Sequence, residues 1–155
     1  MIVRIRKAAP GDYAACAALE QAILELHQRN RPDFFRERVA ALTEERFQAL
    51  LEQAVFLVAE EDGTVVGHCF AGKRGYEGHP GFNNIEWLEI DDIVVDEKHR
   101  GEGVGTELFE AMKAEAARMG FKHIELTVWG FNEEARRFYE KLGMTCRIER
   151  LEIDV

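Results

Sequence analysis

Two adjacent stretches hold the residue types that chemistry on a charged ligand needs. Lys98-His99-Arg100-Gly101-Glu102-Gly103-Val104-Gly105 sets three alternate glycines between basic residues and the start of a helical pattern. Alternate glycines let the backbone come close to a ligand, and free N–H groups at a helix N-terminus point at an anion with the helix dipole behind them. With Lys98 and Arg100 adding positive charge, the stretch is expected to cradle a pyrophosphate; a tight turn with solvated basic residues is the plainer alternative. Just ahead lies Leu88-Glu89-Ile90-Asp91-Asp92-Ile93-Val94-Val95. Leu88 and Ile90 are apolar at even positions, Ile93 and Val95 at odd ones. Side chains along a strand alternate, so one face holds all four only if a residue is inserted near Asp91 or Asp92. The expectation is a β-bulge that bends the strand and can part it from a neighbour. The alternative is a regular strand buried on both sides. Carboxylates at such a bend can take a proton or attract a cation.

The elements that must position these residues read as one domain, residues 1–155, with no repeat or linker. Ile2 to Arg6 alternates as a short strand, and Asp12 is placed to cap a helix carrying Tyr13, Cys16, Leu19, Ile23 and Leu26 up to Arg31-Pro32-Asp33. A second helix from Thr43 buries Phe47, Leu50 and Leu51. Val55–Ala59 and Thr64–Ala71 form a hairpin around Glu61-Asp62-Gly63. Gly72 to Asn84 reads as a loop, and Ile85 to Val95 as the strand with the phase slip. Val104 to Met119 is a helix with a Val104, Leu108, Met112, Met119 stripe; Ile124, Leu126 and Val128 alternate as a strand. Asn132 caps a helix ended by Gly143, and Met144 to Ile153 reads as a last strand. A hairpin needs antiparallel pairing and the later β-α-β unit a parallel one, so the fold class is α/β with a mixed sheet.

Composition narrows the functions. Of 155 residues, 29 are acidic and 20 basic, a formal charge of −9 that repels phosphate backbones and anionic membranes and suits a cationic partner. No nucleic acid and no membrane are expected as partners. No stretch approaches the ~20 apolar residues of a membrane span, and charges near the start replace a signal peptide's apolar block. Three scattered cysteines form no CxxC, so no metal is expected and a cytoplasmic location is the default. Five histidines show no ligand spacing and read as surface or packing residues. A P-loop is absent, and Thr106 occupies the last position of a dinucleotide fingerprint, which disfavours an NAD-type oxidoreductase.

Together, Val95 to Gly105 and Asn132-x-x-Ala135-x-x-Phe138-Tyr139-x-x-x-Gly143-Met144 resemble the two acetyl-CoA signatures of the GCN5-related N-acetyltransferase (GNAT) family, in that family's order. Ile5-Arg6-x-Ala8 with Asp12, and the hairpin with Val66-Gly67, fit as well, so the resemblance spans nearly the whole chain. Glu97 stands where many members have Pro. The resemblance implies the single-domain GNAT fold: a mixed central sheet, helices on both faces, and a splayed pair of parallel strands, here Ile85–Val95 and Ile124–Val128. It implies acetyl-CoA as co-substrate, its pantetheine arm paired with backbone near Ile93, Val94 and Val95. Arg100, Gly101, Glu102, Gly103, Val104 and Gly105 would hold its pyrophosphate, and Asn132 would touch the arm. Dimers are common in the family, which makes a homodimer a natural partner state.

The implied reaction is direct acetyl transfer to a primary amine of a small cationic molecule or peptide. An amine of pKa ~10.4 must lose a proton, the carbonyl oxygen must be stabilised, and the leaving thiolate protonated. By resemblance Tyr139, two turns into its helix, is the general acid, and the oxyanion donor is an N–H near Ile93. Asp91, then Glu89, is the expected base, with Asp92 and water also open; attraction of a cationic substrate is the alternative role for these acids. A non-catalytic acyl-CoA-binding regulator on the same fold is the competing function.

Overall fold

A computed structural model describes residues 3–155 of the chain. Its strands are β1 (Arg4–Lys7), β2 (Val55–Glu61), β3 (Thr64–Tyr76), β4 (Ile85–Val95) and β5 (Ile124–Leu126). Its helices are α1 (Tyr13–Asn30), α2 (Glu44–Gln53), α3 (Val104–Arg118) and α4 (Glu133–Lys141). The strands lie in the order β1-β2-β3-β4-β5. All neighbours are antiparallel except β4 and β5, which run parallel. Ile2, read as part of the first strand, lies outside the described residues.

Local chemistry accounts for most boundaries. Asp62 and Gly63 both have positive φ, 48° and 79°, the backbone of a two-residue hairpin turn whose twist matches its strands. The Thr43 Oγ1 accepts the Arg46 N–H at 3.2 Å and caps α2. Asn132 Oδ1 does the same for Ala135 at 3.1 Å at the start of α4. Asp12 is not a side-chain cap for α1. Its carboxylate instead accepts the Ala9 N–H and both terminal nitrogens of Arg6, at 2.7–2.9 Å, while Arg6 Nε reaches Glu60 at 2.7 Å.

The sheet separates two cores. On one face α1 and α2 cover Phe56, Val58 and Phe70 with Cys16, Phe47 and Leu50. On the other, α3 covers Leu57, Cys69, Ala71, Leu88 and Ile90 with Val104, Leu108 and Met112, and Tyr139 of α4 packs on its edge. Ala116, not Met119, completes the α3 stripe; Met119 lies past the helix and is exposed.

Three expectations need correction. β3 runs on to Tyr76, so Gly72–Tyr76 is strand and only 77–84 connects it to β4. A side chain at Gly75 would stand 2.6 Å from the Ile85 carbonyl, so glycine here serves close strand approach. β5 ends at Leu126 and does not reach Val128. Residues 144–155 form no strand and expose Ile148, Leu151 and Ile153 by 71–89%. Their apolar residues change phase across Glu149-Arg150, so no single face is apolar. Side chains hold this segment: Arg147 bonds Glu125 at 2.6 Å and lies over the Trp87 ring, and Glu152 bonds Arg31 at 2.7 Å.

Candidate active site

β4 pairs with β3 along its length but with β5 only at Leu88–Ile90. Phe70 lies opposite Asp92 and Ala71 opposite Ile90, which leaves Asp91 as the inserted residue of a bulge. The insertion keeps Leu88, Ile90, Ile93 and Val95 all on the α3 side, where they join one core. Parallel pairing with β5 stops at Ile90 and Leu126, at the bulge. Beyond it the Asp96 N–H bonds Val66 of β3, so the alternate groups of Ile93 and Val95 face away from β3. Neither has a strand partner there. The Ile93 N–H bonds the Asp92 Oδ1 at 2.9 Å, and the Val95 carbonyl accepts Arg100 Nε at 3.4 Å. Beyond Ile90 the β5-side edge of β4 is thus free strand backbone, the edge of a candidate cleft.

The glycine turn stands at the end of that cleft. Gly101 and Gly103 have φ of 79° and 90°, a conformation costly for other residues, and no heavy atom lies within 4 Å of a Cβ built on either. Gly103 occupies the α3 N-cap and offers no side chain to the first N–H groups. Those donors, beside exposed Arg100 and Lys98, suit a pyrophosphate. Glu102 is exposed at the tip, and Val104 turns inward as a core residue. The bare Cα of Gly105 also serves packing. A Cβ there would meet the Phe138 ring at 3.1 Å, so its missing side chain seats α4 against α3.

That contact places Tyr139. Its ring packs beside Phe138 and Phe109, and burial, with Cys69 and Asp92 nearby, pushes the phenol pKa well up, so the hydroxyl keeps its proton. The acids sit across the sheet. Glu89 alternates with core-facing Leu88 and Ile90, and its Oε2 accepts the Trp87 Nε1–H at 3.0 Å. Asp91 is bound by Arg74 at 3.0 Å, and burial raises its pKa against the pull of that guanidinium. Tyr139 and the acids therefore approach the cleft from opposite faces.

Sequence reading missed two residues behind the bulge. His68 of β3 is fully buried, and its Nε2 lies 2.6 Å from Oε1 of Glu20, itself buried on α1. Asp92 projects from the same face of the sheet and interacts with Glu20. Burial pushes both carboxyls up to about 7 and the imidazole down to about 4. Two signals were available: Glu20 follows core-facing Cys16 by one helical turn, and His68 interrupts the apolar run Val65 to Phe70.

Residues 20–144 match the sequence profile of the acetyltransferase (GNAT) family. The chain is 30% identical over 147 residues to an uncharacterized N-acetyltransferase, YhfO, of Bacillus subtilis, covering 91% of this chain and 89% of that one. It is 34% identical over 99 residues to an N-alpha-acetyltransferase of Sulfurisphaera tokodaii, covering 59% and 56%. A crystal structure of a tetramutant of the BH1408 protein from Bacillus halodurans superposes with a TM-score of 0.92 at 34% identity, over the full length of both chains. Among the described residues no helix is long and apolar enough to cross a membrane.

Proposed function

The chain belongs to the GNAT acetyltransferase family and is an N-acetyltransferase, and on that premise we propose that it moves the acetyl group of acetyl-CoA directly to a primary amine of a small cationic molecule or peptide. One observation carries the reading: β4 continues to Val95 while its pairing with β5 ends at Ile90, beside an α3 N-terminus with no side-chain cap. Free backbone at Ile93 and Val95 can accept an extended amide arm as an added strand. The Gly101–Gly105 turn with Arg100 can hold its diphosphate, and Asn132, which caps α4, can touch the arm.

Acid and base then come from different faces. The amine enters from the side of Glu89, Asp91 and Asp92, whose charge favours a cation and one of which takes its proton. The carbonyl oxygen would be received by the Ile93 N–H, once Asp92 releases it. Tyr139, from the α4 side, protonates the departing sulfur. A buried phenol with a raised pKa is a weak donor on its own, so its proton must move as the C–S bond breaks. The N-alpha-acetyltransferase relative makes a peptide N-terminus the first acceptor to try.

The test is release of free CoA thiol from acetyl-CoA across a panel of peptide N-termini, polyamines, amino acids and aminoglycosides. Amine-dependent release supports the reading. Tight acetyl-CoA binding with no release across the panel overturns it in favour of a non-catalytic acyl-CoA-binding regulator.

A further inference from the structure

The group at the bulge with the most unusual surroundings is the one least expected from sequence. Asp92 leaves the sheet on the α1 side, partly exposed, with Oδ1 on the Ile93 N–H at the cleft. Glu20, 8% exposed, and His68, at 0%, lie beside it on the same face of the sheet. The three groups form one cluster behind the bulge.

Burying two carboxyls and an imidazole is a poor way to stabilise a fold; apolar residues of similar volume are usually as good or better. His68 also leaves Nδ1 buried with no hydrogen-bond partner, a further cost. The arrangement has a chemical consequence, however. Burial holds His68 neutral, so in the tautomer with its proton on Nε2 it donates to Glu20 without cancelling the charge of the ionised carboxylate. Burial raises the proton affinity of Asp92, and Glu20, once ionised, adds a like charge in the same poorly solvated place that raises it further.

We propose, on the basis of the acetyl-transfer reading above, that Glu20 and His68 are positioning residues that raise the proton affinity of Asp92, and that Asp92 rather than Asp91 or Glu89 takes the proton from the incoming ammonium. The reactive form has both carboxylates ionised. Asp92 accepts one N–H proton, and the pair then holds that proton between them. The freed nitrogen lone pair forms the C–N bond, the C–S bond breaks, and the sulfur takes the Tyr139 proton. Tyr139 is restored by the second proton leaving nitrogen, and the pair returns its proton to water through the open side of Asp92. One ammonium and one thioester give one amide, one thiol and one released proton.

The other ionisable groups near the cluster, on either face of the sheet, do not compete. Burial raises the Cys16 thiol of α1 to about 12 and pushes the Cys69 thiol of β3 and the Tyr139 phenol of α4 well up, so all three stay protonated near neutrality. Asp91 of β4 is bound to Arg74 of β3.

The decisive measurement needs no acceptor: titration of the Asp92 carboxyl by carbon NMR in the unliganded protein, wild type and Glu20→Gln. Gln can still accept from His68, so the fold is retained. A wild-type midpoint near 7 that falls by about one pH unit or more in Glu20→Gln is expected. A wild-type midpoint near 4 overturns the proposal. The acidic limb of kcat/KM for whichever panel amine turns over should share that midpoint and move to lower pH in Glu20→Gln, with a lower plateau. A limb that stays while the NMR midpoint moves removes Asp92 as the acceptor. A raised midpoint in a protein that turns over no amine identifies the failure as that of the acetyl-transfer reading, and Asp92's role falls with it.

Discussion

On the α3 side of the sheet, Leu57, Cys69, Ala71, Leu88 and Ile90 meet Val104, Leu108 and Met112, and the groups that can ionise, Cys69 and Tyr139, are held protonated by burial. On the α1 side an aromatic core of Phe47, Phe56 and Phe70 surrounds His68, with Glu20 and Asp92 beside it. One core is dry and hydrocarbon, the other apolar around a buried charge. The bulge at Asp91 separates their tasks: it keeps four apolar residues on the α3 side and turns Asp92 to the α1 side. On the proposed reading, the difference teaches that one side frames a cofactor and an acid, while the other gives up stability to tune a base.

Stability should divide along the same line. Leu108 is fully buried in the dry core, and Leu108→Ala should cost about 3–5 kcal/mol by lost transfer energy and cavity formation. The double variant Glu20→Leu/His68→Leu removes a whole buried polar pair, so it should be near neutral or more stable by about 1 kcal/mol in urea unfolding while losing most turnover. Equal destabilisation by both changes would erase the contrast.

Activity sharpens the comparison next. Tyr139→Phe keeps the packing against Phe109 and Phe138 but removes the proton, so kcat should fall by about 100-fold or more with acetyl-CoA affinity unchanged. Equilibrium binding with single-turnover kinetics separates these quantities. The two glycines flanking Val104 should part in the same way. Gly103→Ala adds a Cβ in open space where phosphate would approach, at a backbone strain of about 1–2 kcal/mol, and should weaken acetyl-CoA binding. Gly105→Ala presses on Phe138 instead, and should lower kcat through Tyr139 with a smaller change in affinity.

The two sides were not equally legible. The glycine turn, the Asn132 cap and the Phe138-Tyr139 pair lie within short stretches whose spacing matches their local geometry. The bulge could be read because an inserted residue leaves a trace, the change of apolar phase between Ile90 and Ile93. The cluster could not. Its members come from α1, β3 and β4, with Glu20 and His68 lying 48 positions apart, and each taken singly is ordinary. Three alternate glycines look alike in sequence, and only packing shows that the bare Cα of Gly105 faces Phe138. The last strand was misread for the opposite reason. Alternation was present from Met144 to Ile148, but the phase then changes, and no strand pairs there.

The smallest expected effect discriminates best between the two cores, because it depends on pH. Glu20 and Asp92 have folded pKa values raised to about 7 from 4.5 and 3.8, so the stability they contribute is complete below about 4 and is lost as pH rises through 7. His68 is opposite: lowered from 6.5 to about 4, it contributes fully above 6.5 and loses this as pH falls. Two carboxyls outweigh one imidazole, so this side destabilises the chain on going from pH 5 to pH 8. Glu20→Gln removes one of the two charges. Its melting temperature should exceed that of the wild type by more at pH 8 than at pH 5, by about 1 kcal/mol or roughly 2–4 °C in a chain of this size. Leu108→Ala has no ionisable partner and should lose the same amount at both values. Thermal melts of the three proteins in matched buffers decide it: a Glu20→Gln difference that does not grow with pH means that the Glu20 carboxyl is not charged against Asp92 in the folded chain, and the α1 core is then as inert as the other.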